Sequence, residues 1–65
     1  MVDKNALRAE IVRNGFTQKE VAKAIGMSEK TFIFKVKNST FGIDDVEKLI
    51  VLLSINDPMA IFFAK

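Results

Sequence analysis

Among its 65 residues the chain has no cysteine and no histidine. Without cysteine there is no disulfide to staple the fold and no thiolate to hold a metal. Without histidine the commonest general base and the commonest metal ligand are both missing. No nucleophile paired with a base and no cluster of metal donors stands in for them. An enzyme is therefore not expected, nor is a cofactor or a metal. A long apolar run is absent too: Leu49 to Leu53 falls far short of the roughly 20 residues that cross a bilayer. Met1 to Glu10 is polar and charged where a secretory signal would carry an apolar stretch. These absences predict a cytoplasmic protein that meets neither membrane nor small-molecule ligand. There is no repeat, no low-complexity segment and no internal linker.

What is present suits a small helical core. At 49% hydrophobic residues the chain has enough apolar side chains to fold, as a disordered tail would not. Sixty-five residues make one domain, 1–65, near the lower limit for a core without staples. The net charge of +2 is unevenly placed. Residues 1–41 carry eight Lys and Arg against four Asp and Glu, whereas residues 42–65 carry two against four. A phosphate-facing surface would need the first arrangement, and ordinary solvated lysines would also produce it.

The most informative stretch is residues 17–36. Thr17 and Glu20 have capping-box spacing, hydroxyl to the third backbone NH and carboxylate back to the first, so a helix is expected from Gln18. Val21, Ala22 and Ile25 form its apolar stripe, and Gly26 ends it in the left-handed conformation. Ser28 then caps a helix from Glu29 to about Lys37 that buries Phe32 and Val36. The small side chain of Ala22 lets the two helices cross closely.

The rest of the chain reads as support. Asp3 or Asn5 caps a first helix to about Arg13, with Leu7 and Ile11 in the core and Ala6 and Val12 beside them. Arg8 and Arg13 fall on its outer side, open either to solvent or to phosphate. Asn14-Gly15 ends this helix and Phe16 anchors the link. Lys37 to Thr40 is a polar turn, with Asn38 expected in the left-handed region. Phe41 returns to the core and Gly42 caps a fourth helix. Its first turn carries Asp44, Asp45 and Glu47, where the macrodipole favours negative charge over any metal-binding role. Ile43, Val46, Leu49, Ile50 and Leu53 are expected inside, Val51 is out of period, and Ile55 closes the core. Asp57-Pro58 opens a last helix through Phe63. Ile61 and one of Phe62 and Phe63 suffice to finish the core. The other phenylalanine, with Met59 and Val51, is surplus and forms a candidate homodimer patch. The expectation is all-α, a compact bundle of five short helices.

Gln18, Ala22, Gly26 and Phe32, with Thr17 before them and Ser28 between the two helices, carry a resemblance. At this spacing they resemble the helix-turn-helix of the lambda-repressor-like DNA-binding family, of Cro, repressor or XRE type. The stretch from Asn38 to Phe63 is similar to the second half of short phage-type members, and the resemblance covers residues 4–63. It implies a lambda-repressor-like fold with the motif on helices 2 and 3, and a transcriptional regulator that binds double-stranded DNA. It matches Gln18 to a phosphate contact and Glu29, Lys30 and Thr31, with Ser28 ahead of them, to groove-facing positions. Chemically, Lys30 suits guanine O6 or N7, Glu29 suits cytosine N4, and Thr31 either a base or phosphate. Lys35, Lys37 and Asn38 follow as backbone contacts. The chain departs from the family pattern at Lys35, where an apolar residue is usual, and at Ile33 and Phe34, where polar ones are. Either of these two meets a thymine methyl group or packs on a neighbour. Together with Glu29 they also suit a protein-interaction module on the same fold, like an antirepressor.

Overall fold

Short polar side chains start the helices, and left-handed residues stop most of them. The computed structural model describes residues 1–63 and contains α1 (Lys4–Arg13), α2 (Gln18–Ala24), α3 (Glu29–Asn38), α4 (Ile43–Leu53) and α5 (Pro58–Phe62). No strand occurs among the described residues. No helix there is long and apolar enough to cross a membrane.

Asp3, and not Asn5, caps α1, its carboxylate accepting from the Ala6 amide at 3.1 Å. The box at α2 is complete: the Glu20 amide donates to Thr17 Oγ1 at 3.1 Å and the Thr17 amide to Glu20 Oε1 at 2.9 Å. Ser28 accepts from the Thr31 amide at 3.2 Å, and Asp57 from the Ala60 amide at 3.3 Å. Each such cap is worth about 1 kcal/mol. Gly42 has no side chain to cap with. At α4 only the return bond exists, from the Gly42 amide to Asp45 Oδ2 at 3.4 Å.

The first four helices end alike, in a backbone bond that reaches back five residues across a left-handed one. The acceptors are Ile11, Ala22, Lys35 and Ile50, each at 3.0–3.1 Å. The left-handed residues are Gly15 (φ 76°), Gly26 (φ 84°), Ser39 (φ 54°) and Ser54 (φ 50°). Asn38, expected to take this role, is instead the last residue of α3. Its amide donates to the Phe34 carbonyl at 2.8 Å, which extends the helix and passes the reversal to Ser39.

The core collects Leu7 and Ile11 from α1, Val21 and Ala22 from α2, Phe32 from α3, Leu49 and Leu53 from α4, and Ile61 from α5, with Ile25 and Ile55 at helix ends. No polar or charged side chain is buried among the described residues. Phe41 bridges Phe32 and Phe62, ring centroids 5.7 and 6.4 Å away, the second contact edge-on. Phe62 is therefore a core residue and not a dimer candidate, and Phe63, which follows the end of α5, is the surplus ring.

Ile43 also departs from expectation, being 79% exposed. At 3.6 residues per turn it lies about 70° from the centre of the arc set by Val46, Leu49, Ile50 and Leu53. That rotates it toward Glu47, and in the first turn of α4 nothing covers it. Val12 is exposed as well, while Phe16, Val36 and Ile50 are half-buried against the core.

Distant segments are tied by polar bonds. Arg13 pairs with Glu10 at 2.8 Å and donates to the Leu53 carbonyl at 3.1 Å. Asn14 Nδ2 donates to the Glu10 carbonyl at 2.7 Å and the Leu53 carbonyl at 2.9 Å. Together they satisfy carbonyls at the C-terminus of α4, where a cation also suits the macrodipole. The Val2 amide donates to Ser39 Oγ at 3.0 Å and the Asp3 amide to the Ile61 carbonyl at 2.7 Å.

Candidate nucleic-acid interface

α2 and α3 are the most closely packed pair of helices, joined through Gly26. With Phe32 buried, α3 presents Lys30, Ile33, Phe34 and Lys37 outward on one face, at i, i+3, i+4 and i+7. Both apolar members are exposed, Ile33 by 46% and Phe34 by 61%, so neither is core.

The first turn of α3 is polar and solvent-facing. Ser28 Oγ accepts from the Thr31 amide and donates to Thr31 Oγ1 at 2.9 Å, which fixes both side chains. Ser28 is thereby committed to capping. Thr31 keeps its own hydroxyl proton for an outside acceptor. Glu29 and Lys30 are exposed beside them and join no ion pair among the described residues.

Lys35 belongs to a different face. Its ammonium lies 3.1 Å from Asp45 Oδ2, with both side chains largely covered. The same oxygen holds the Gly42 amide, so Lys35 fastens α3 to the start of α4 instead of pointing outward with Lys37. Asn38 is exposed, with its amide nitrogen already bonded to Phe34.

Gln18 is half-buried and meets α3 across a cleft of about 190 Å³, whose rim also carries Lys4 and Arg8 of α1 and Lys37 of α3. Arg8 and Arg13, alike in sequence, separate here. Arg13 is held by Glu10 and by α4, and hydrogen bonding to that carboxylate raises its pKa while lowering that of Glu10. Arg8 stands at the open cleft with no ion-pair partner among the described residues. The signal for it was in the spacing Lys4, Leu7, Arg8, Ile11: two cations on the helical face that carries the core pair.

The proposed dimer residues do not fall together. Val51, 80% exposed, lines a cleft between α4 and the end of α2. Phe63 lines another, with Ile43, Val2 and Phe41, and Glu47 stands between the two clefts. Met59 is exposed but lines neither. No group of three or more metal-ligating side chains occurs among the described residues. Comparison with family models, curated proteins and solved structures finds no match.

Proposed function

We propose that this chain is a sequence-specific duplex-DNA-binding protein, a transcriptional regulator of Cro or repressor type from a phage or mobile element. The observation that carries the reading is the outer face of α3. A capped polar first turn leads into a stripe with a cation at each end, Lys30 and Lys37, neither of them paired with an acid among the described residues. A helix laid in the major groove would put Glu29, Lys30 and Thr31 near base edges, with Ile33 and Phe34 available to thymine methyl groups. The resemblance at Gln18, Ala22, Gly26 and Phe32 and the positive charge of residues 1–41 support the same reading. A weak homodimer that strengthens on DNA would draw on one of two separate clefts, that of Val51 or that of Phe63.

Substitution of the two lysines tests the proposal. Lys30→Ala should cost about 1–3 kcal/mol on the best duplex from a random pool and relax the preference at one base pair, because a base-edge donor is lost. Lys37→Ala should weaken preferred and scrambled duplexes alike and lower the salt slope by about one unit. Failure to enrich any duplex at low salt would overturn the reading. In that case the exposed Ile33 and Phe34 would favour the alternative, a protein-interaction surface on the same helix.

A further inference from the structure

The cleft between α1 and α3 has a composition that the fold itself does not require. Its floor is apolar, formed by Leu7, Phe32 and Val36, and its charged rim is made of Lys4, Arg8 and Lys37. No acidic residue lines it. The two ion pairs among the described residues use Arg13 and Lys35, so none of the three rim cations is neutralised. The other clefts differ: one is lined by Asp44, Glu47 and Lys48, and the other has Glu47 as its acid. Lys4 is also placed against its own helix. It opens α1, whose first turn has no acid, with the charge that the macrodipole disfavours there.

We propose that Lys4 and Arg8 form, together with Lys37, a second contact with DNA, gripping the sugar-phosphate backbone beside the groove that α3 enters. The inference rests on the DNA-binding reading and extends it to α1. Lys4 and Arg8 lie one helical turn apart on the same face, so their side chains reach successive phosphates of one strand. Ile33, partly exposed at the edge of the same cleft, offers an apolar surface to the deoxyribose between those phosphates. Charges outside an apolar floor match a sugar-phosphate strand, which alternates the two in the same way. The contact is continuous with the face described above, because Ile33 and Lys37 belong both to the cleft and to the stripe that begins at Lys30. It carries no sequence information of its own and sets the orientation of the helix.

The test uses the full chain with the Lys4→Ala/Arg8→Ala double variant, Arg8→Lys, and Lys48→Ala as a control cation on α4. Affinity for the best duplex and for a scrambled duplex is measured across a salt series. The double variant should lower the slope of log affinity against log salt by about two units, equally on both duplexes, since two phosphate contacts and their counterions are lost. Arg8→Lys should keep the slope, and Lys48→Ala should leave it unchanged. Both α1 residues are exposed and Lys4 opposes the macrodipole, so the melting temperature by circular dichroism should not fall below that of the parent chain. An unchanged slope in a parent chain that binds DNA and loses affinity on Lys30→Ala would overturn this inference alone. So would a loss confined to the best duplex, or an equal loss with Lys48→Ala. A parent chain that binds no duplex would overturn the DNA-binding reading, and this contact with it.

Discussion

Ser39 and Ser54 hold the same left-handed backbone for different returns. Glycine adopts this conformation without the Cβ clash that an L side chain suffers there. Ser39 is compensated, because its hydroxyl accepts from the Val2 amide at 3.0 Å and Val2 is buried. Ser54 makes no comparable side-chain bond among the described residues; its backbone amide donates to the Val51 carbonyl at 3.4 Å and its carbonyl accepts from Arg13 at 3.5 Å. Ser54→Gly should therefore stabilise the chain by about 0.5–1 kcal/mol, raising Tm by several degrees in a domain of this size. Ser39→Gly should destabilise it on balance, because the unpaired amide costs about 1–3 kcal/mol, more than the relieved strain returns. Urea and thermal unfolding of both variants check the pair, and a gain in both would remove Ser39 Oγ from the account. Gly15 and Gly26 were legible as helix stops because glycine has few other uses beside an apolar stripe. The serines were not, since a serine after a helix fits a turn, a cap or a loop equally well.

At the scale of elements, the end of α1 holds the end of α4 through Arg13 and Asn14. The local part of this joint was readable, since Glu10 and Arg13 are one turn apart; the partners at Leu53 and Ser54 lie some forty residues on and leave no mark near Arg13. The same limit applies to Lys35, whose position in a helix gives no hint of Asp45 across the next turn. The core residues of α4 were legible from their period, except Ile43, because period fixes a face and says nothing of how far the neighbouring helices extend. The Arg13 guanidinium, by hydrogen bonding, holds the Glu10 carboxyl below its ordinary range. A carboxylate whose pKa is lower folded than unfolded adds stability that is fully present above the unfolded value. That stability is lost as pH falls through the folded value, so acid loosens this joint. Carboxyl-detected NMR should find Glu10 titrating below the ordinary range of a glutamate, and Arg13→Gln should return it toward that range; an unchanged midpoint in that variant would refute the pairing.

For the whole molecule, the apolar surface is divided. A stable interface buries about 1,200 Å² or more, roughly 600 Å² from each copy, and the chain exposes 4441 Å² in all. With Val51 and Phe63 facing different clefts on either side of Glu47, neither cleft alone offers that much apolar area. Sedimentation should therefore find a monomer in free solution and two copies on a palindromic duplex whose half-sites are about one turn, 34 Å, apart. One copy spread over both half-sites would end the homodimer proposal, and a tight dimer without DNA would contradict the division. The number and order of helices were readable in the chain, whereas the cleft was not, because it exists only once α1 is laid beside α3. A long-range bond runs from the Asp3 amide to the Ile61 carbonyl, at 2.7 Å. α2 and α3 can find each other early, across a few residues, but this clasp joins opposite ends of the described chain and has a higher cost in loop closure. On a ribosome it cannot form until residue 61 has emerged, so α1 waits for this partner until α2, α3 and α4 have all been made.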